Sequence, residues 1–584
     1  MKNVKTETKK VDVFRLVLPF VFFVLAALVN FSSFPGEYNY TLIKSVIGSI
    51  FVSLVGIYYL YRKKNGFEFD RLTFFAGSAF FVWILIGCFY APFKYAAAKY
   101  MENYLLYFLL FLVGLTWEWK QEDAIIWSIS AVIACIIGII ESIIPPKYPV
   151  SMFGNPDFFA GFLIMPAFLS FYFLKRKWNV YGVIYLLLTF ITLFILKTRS
   201  TLAAYVVGLA FVLFLFFRRK NPSYIKWIGF VAGIIGFSIL FPQIEHKFLH
   251  NIRYFIWRGT WQMILAKPFL GWGTGNFMNF YPYFRYRPYF LRPEATPLTN
   301  HPHDIYLELW SQHGIIGVVL FIAVAVIAIS SCLRNKKYEE FHWSIFIIPA
   351  IVGVLIDNIL SINLANPSTS MFFWFIVGSA AAFSGRKYEF SVINKISLNK
   401  IFYGIIIFVS LFLAVRGIYY RIVPDVYLKK AIAYRDMGFY KSSVRNYKKA
   451  CAIDHYDVIA YYKMAYAYAQ MGKYGKALNV YQFINKSLFP HFAETDENIG
   501  IIYMNLHDGQ EAEKYFETAL WFDPYNVNVL DSLASISIMY DNNEKKAVEY
   551  LKEVIAIKPK DKYANFVLDK LEKLPKMEKG RVKK

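Results

Sequence analysis

The stretch "TNHPHDIYLELWSQHGIIG", Thr299–Gly317, places histidines and acids directly ahead of an apolar run that extends to Leu333. Polar chemistry set against such a run marks the end of a membrane span, because a bilayer crossing takes roughly 17 to 25 predominantly apolar residues. Similar runs recur near 14–31, 40–60, 72–90, 100–117, 124–144, 157–174, 180–196, 201–217, 225–241, 343–361, 368–384 and 401–420. With 314–333 they make thirteen expected spans, uncertain by one. At 57% hydrophobic and 20% aromatic residues, the composition is that of a polytopic membrane protein and excludes an ordinary soluble one. The first run follows "MKNVKTETKKVDVFR" and ends without a small-residue cleavage motif, so a retained anchor is expected there.

The formal charge of +24 sits largely in short loops between apolar blocks. "YRKKNGFEFDR", "LKRKW", "FRRKNPSYIK", "CLRNKK" and "SGRKYEF" fall on one side with the N-terminus, which the positive-inside rule makes cytoplasmic. Charge distributed in this way sets orientation and gives no nucleic-acid footprint. An odd number of spans sends everything after 420 outside, so the expected location is a bacterial inner membrane with an extracytoplasmic tail. Cys88, Cys135, Cys332 and Cys451 form no CxxC pair, and neither a disulfide framework nor a thiolate metal site is indicated.

The chain divides into N-terminal spans (1–241), a long external loop (242–313), C-terminal spans (314–420) and a polar tail (424–572). In the tail a period of 34 to 35 residues appears, as in "AYAQMGKYGKALNVYQFI" and "GIIYMNLHDGQEAEKYFETALWFDP". The spacing of Gly472, Tyr474, Ala477 and Tyr481, or of Ala512, Phe516, Ala519 and Pro524, resembles the tetratricopeptide pattern of paired antiparallel helices. An α-solenoid of this kind offers a surface for a protein partner. The expected fold class is therefore all-α, a membrane bundle of 12–13 helices plus a helical repeat domain.

The loop contains "RGTWQMILAKPFLGWGTGNF" (Arg258–Phe277), the aromatic and basic "YPYFRYRPYFLRP", and then the histidine segment. Gly271, Gly273 and Gly275 permit tight turns, but GWGTG without a preceding strand is no dinucleotide fingerprint. His303 follows Pro302 near the expected start of the tenth span, and Asp304 suits that first turn through the helix dipole.

"HD", nine residues, then "GIIG" resembles the signature of the O-antigen ligase and polymerase superfamily, with Asp304 where the family usually shows Asn, Ser or Gln. The pattern around Arg258, Trp261, Pro268, Gly271 and Gly273 resembles the same family, as does "KTRSTLAA" with Arg199 at the outer start of a span. The match covers roughly 14–385 and leaves the thirteenth span and the repeats as an attached module. The resemblance implies a GT-C-like, metal-independent glycosyltransferase without cofactor, moving a glycan from an undecaprenyl diphosphate carrier to a glycan, lipid or protein acceptor at the outer face of the inner membrane. His303, Arg258 and Arg199 are then the expected catalytic residues, and Arg285, Arg287, Asp304 and Trp261 the expected substrate contacts.

Guanidinium forks hold phosphate oxygens bidentately and stabilise a leaving diphosphate. Histidine, with an ordinary pKa near 6.5, is largely neutral at neutral pH and suits the base for an incoming hydroxyl. Ligase, polymerase and protein glycosyltransferase share this donor chemistry and stay open. Outside enzymes, a transporter or a membrane-anchored scaffold remains the alternative, although the expected spans hold few ionisable residues, with Glu141 and Asp357 near their ends.

Overall fold

A computed structural model describes residues 41–62, 68–144, 155–170, 179–217, 251–293, 295–296, 298–334, 343–384, 387–389 and 398–581. The expected spans near 14–31 and 225–241 lie outside the described residues. Each of the other eleven coincides with a helix: Thr41–Arg62, Arg71–Tyr90, Lys94–Leu115, Gln121–Ile143, Pro156–Ser170, Asn179–Ile195, Arg199–Phe217, Ile305–Leu333, Ser344–Asp357, Pro367–Ser379 and Leu398–Gly417. Among the described residues four stretches are long and apolar enough to cross a membrane on their own, at Ile43–Tyr61, Arg71–Tyr90, Ile305–Leu333 and Lys400–Asp436. The protein is an all-α membrane protein with a helical repeat tail.

Chain contacts gather into two compact units. The first takes the residues up to His246, together with Lys267–Gly275 and His303–Val423; the second takes Lys247–Ala266, Asn276–Pro302 and Pro424–Lys584.

The first unit is the membrane bundle. Its apolar side chains interlock around Trp374, whose ring lies 5.0 Å from Phe80, 4.7 Å from Phe81 and 6.0 Å from Phe321, drawing three helices onto one aromatic node. The thirteenth span, expected to be part of an attached module, packs along the Thr41–Arg62 helix. Tyr59 stacks on Tyr403 at 5.6 Å, and the Ser53 and Ser410 hydroxyls share a 2.7 Å hydrogen bond. A hydroxyl inside an apolar bundle has no water to turn to, so such pairs fix helix register. One small sheet adds to the all-α plan: Glu68–Asp70 pairs antiparallel with Lys387–Glu389. These segments come from "YRKKNGFEFDR" and "SGRKYEF", so two of the basic loops lie on one side of the bundle.

In the second unit, paired helices run from Tyr440–Ile453 to Glu544–Ile557. Helix ends at a fixed period carry left-handed residues, Gly438 (φ 78), Gly472 (φ 68), His507 (φ 60) and Asn542 (φ 50), which is the 34- to 35-residue repeat expressed in backbone conformation. Asp508 and Asn543 then cap the second helix of their repeats by accepting from the backbone N–H of Glu511 and Lys546. Small and large apolar positions alternate in the interior, with Ala477, Tyr481, Ala512, Phe516, Ala547 and Leu551 all fully buried.

Candidate functional site

In the membrane unit the histidine segment begins with a bend. His303 is exposed and left-handed, with φ 58, a conformation that costs a non-glycine residue about 1–3 kcal/mol. The next residue ends that strain: Asp304 is the N-cap of the Ile305–Leu333 helix, its Oδ1 accepting from Tyr306 N at 2.8 Å and Leu307 N at 2.9 Å. Burial pushes the Asp304 carboxyl up to about 6, against the pull of those two N–H groups.

The helix starts nine residues earlier than the hydropathy placed the span, and Gly314 (φ 66, ψ −176) breaks it. The break has a physical cause. Ile315 N and the Trp310 indole both donate to the Pro268 carbonyl, at 2.9 and 3.0 Å, bringing the loop so close that a Cβ on Gly314 would sit 1.8 Å from the Phe269 oxygen. The GWGTG segment completes the contact. Trp272 N donates to Ser311 O at 2.9 Å, Gly273 N to Gln312 O at 2.8 Å, and Gly275 N to the Gln312 side chain at 2.6 Å. GWGTG thus acts as a backbone bracket on the broken helix.

Arg199 is the exposed first residue of its helix. Two residues on, Thr201 Oγ1 donates to Asp357 Oδ1 at 2.8 Å, while Asp357 Oδ2 accepts from Ser361 Oγ at 3.1 Å and from the Asn363 amide. Ile305 N, two residues after His303, donates to Asn358 O at 3.1 Å, and the Tyr306 hydroxyl donates to Leu355 O at 2.8 Å. The helices that begin at Arg199 and just after His303 are therefore both fastened to the same turn, at Asp357–Asn358.

Arg258, Trp261, Arg285 and Arg287 belong to the second unit. Arg258 and Trp261 are exposed on the Ile252–Ala266 helix, and Arg287 is exposed in a 3-10 turn. The Arg258 guanidinium lies 4.0 Å over the Tyr286 ring; Tyr286 stacks on Phe255 at 5.8 Å and 16°; and Arg292 lies 4.6 Å over Phe255. The result is a four-layer stack with a guanidinium at each end. Among the described residues no carboxylate forms a salt bridge with Arg258 or Arg292, whereas Glu245, a partner Arg258 could have had by sequence, lies outside them. Stacking fixes the plane of a guanidinium while leaving its N–H edges available, which pairing with an acid would not. Arg285 sits within 4.8–5.6 Å of Phe290, Tyr289 and Tyr281. One residue before Arg258, the Trp257 indole donates to the carbonyl of Pro302 at 2.7 Å, and the Tyr289 hydroxyl bonds Thr296 and Thr299, tying down the approach to the histidine segment.

Residues 184–322 match the O-antigen ligase family. The chain carries an O-antigen ligase domain. All seven candidate residues fall inside that stretch, and residues 432–472 match the tetratricopeptide repeat. The chain is similar to a protein of Rickettsia conorii, provisionally named a polysaccharide ligase, at 28% identity over 192 residues, covering 30% of this chain and 47% of that one. A Rickettsia felis protein with the same provisional name is 26% identical over 196 residues, again 30% of this chain and 47% of that one. The chain thus spans about half the length of the curated relatives it matches. Among solved structures, MamA from Desulfovibrio magneticus covers 26% of this chain at 17% identity, with a TM-score of 0.25.

Two features of the ligase domain escaped the sequence. Glu308 and Gln312 form a buried pair, Gln312 Nε2 donating to Glu308 Oε1 at 3.0 Å, so the glutamine that receives the bracket is itself oriented by a carboxylate. Their i, i+4 spacing is the available signal, inside a stretch whose composition marks only the polar approach to a span. The other is the place of Arg292 on the Phe255 ring, which depends on an aromatic nearly forty residues away.

Proposed function

We propose that the protein transfers a glycan from a polyprenyl diphosphate carrier to an acceptor hydroxyl at the outer face of the bacterial inner membrane, without a metal ion. The supporting observation is the state of Arg258: exposed, seated over the Tyr286 ring, and free of salt bridges among the described residues. A guanidinium held in that way is prepared for phosphate oxygens. Arg199 and Arg258 hold the donor diphosphate and stabilise its charge as it leaves, and Arg285, Arg287 and Trp261 extend the donor contact. His303, presented on a left-handed bend outside the helix, takes the proton of the acceptor hydroxyl while that oxygen bonds to the anomeric carbon and the carbon–diphosphate bond breaks. Asp304 fixes the bend through its cap. The repeats bind a protein partner on the outer side.

Purified protein with a lipid diphosphate donor tests this. His303→Ala is expected to lose roughly a hundredfold in transfer rate, the usual contribution of a positioned base, with donor binding retained. Substitution of His301 or His313 costs less, and chelator leaves the rate unchanged. Undiminished transfer by His303→Ala, or inhibition by chelator, refutes the reading. A transporter, by contrast, moves the lipid-linked glycan without forming a new glycosidic bond.

A further inference from the structure

The second unit contains a contact between the arginine segment and the repeats. Tyr283, at the end of the Phe277–Phe284 helix, meets three rings of the tail: Phe522 at 5.3 Å edge-on, and Trp521 and His491 at 6.2 Å each. The receiving rings hold one another, with His491 4.5 Å and Trp521 4.7 Å from Phe522. His491 is fixed in turn by a 2.6 Å bond from Nδ1 to Asp496 Oδ2. Two residues beyond Tyr283, the charges of Arg285 and Asp523 attract each other, which favours the same approach of the two segments. The rings come from the C-terminal end of the Gly509–Phe522 helix and the turn before Thr495–Asn505, which is an edge of the solenoid.

The same short segment carries the stack. Tyr286, on which Arg258 lies, follows Tyr283 by three residues, and Gly259, next to Arg258, approaches the Phe284 carbonyl so closely that a Cβ there would sit 2.7 Å from it. Displacing Tyr283 therefore moves the ring that sets the plane of Arg258.

We infer that this solenoid edge is a docking surface for the chain's own arginine segment, and that Tyr283, Trp521 and Phe522 are positioning residues for the Arg258 and Arg292 guanidiniums. The role in transfer rests on the proposed function, whereas the docking itself does not. A repeat tail whose only task was to recruit other proteins would gain nothing from a four-ring cluster with this loop. Its other faces stay available to a partner.

The test uses the full chain with Tyr283→Ala, Phe522→Ala, the double variant and Tyr283→Phe. Trypsin reports docking directly, since Arg287 and Arg292 precede prolines and resist cleavage, which leaves the Arg285–Tyr286 bond as the sensitive site of the segment. Each alanine variant is expected to speed cleavage there by roughly tenfold or more, because the ring contacts that close the segment are gone. The double variant is cleaved no faster than either single one, and Tyr283→Phe behaves as wild type. In the transfer assay the alanine variants raise KM for the lipid diphosphate donor more than they lower kcat. Unchanged cleavage in both single variants, or additive effects in the double, overturns the docking. Faster cleavage with an unaltered donor KM leaves docking in place and overturns the positioning role; absence of transfer in the wild type refutes only the proposed function.

Discussion

One long loop supplies two regions built on opposite principles. The bracket, Lys267–Gly275, is held by its backbone: its N–H and carbonyl groups bond the broken helix, and its glycines exist so that two main chains can touch. The arginine segment, Asn276–Pro302 with the Ile252–Ala266 helix, is held by side chains, ring on ring and guanidinium on ring. Backbone bonds fix position but use up the groups that make them. Aromatic stacking fixes a guanidinium and leaves its donors unused, which is what the proposed contact with a phosphate requires of the second region.

The largest effect is expected from breaking the bracket. Gly314→Ala forces a side chain into a glycine-only conformation and against the Phe269 carbonyl, costing roughly 3 kcal/mol or more. Yield of folded protein in detergent, or its melting temperature, shows the loss; a variant as stable as wild type would mean that the helix break is not enforced by the loop.

The stack should yield to milder changes and lose function before stability. Arg258→Lys keeps the charge but gives up the planar fork, and one lost charged hydrogen bond of about 1.5 kcal/mol or more corresponds to roughly a tenfold fall in kcat/KM for the lipid diphosphate donor. Melting temperature stays within a degree or two of wild type. An equal loss of stability would make the arginine a packing residue and erase the contrast between the two regions.

The smallest effect concerns the cap beside His303. With its carboxyl pushed up to about 6 in the folded state, above an unfolded value near 3.9, Asp304 costs the fold free energy when it ionises. Its contribution is most favourable below about pH 4 and declines as pH rises to 6. Asparagine accepts the same two backbone bonds and cannot ionise, so Asp304→Asn should flatten stability between pH 4 and 6 and match or exceed wild type at pH 7. Thermal melts across that range decide it, and a steeper decline in the variant would contradict the assignment.

Apolar run length and the 34- to 35-residue period determined, without any structure, which segments are membrane helices and which are paired repeats, because both follow from local periodicity along the chain. The helix start near Asp304 and the tight turns at GWGTG were also legible, since helix starts and turns depend on neighbours in sequence, whereas the cap that Asp304 makes came from the structure. The break at Gly314, the pairing of Glu308 with Gln312, the fastening of the Arg199 helix and of Ile305–Leu333 to Asp357–Asn358, and the stack joining Arg258, Tyr286, Phe255 and Arg292 were decided only in three dimensions. Each depends on close packing between groups far apart in the chain: a carbonyl that reaches a distant helix, a carboxylate that gathers hydroxyls from two segments, a ring that receives a guanidinium. Spacing along the sequence carries no record of those meetings.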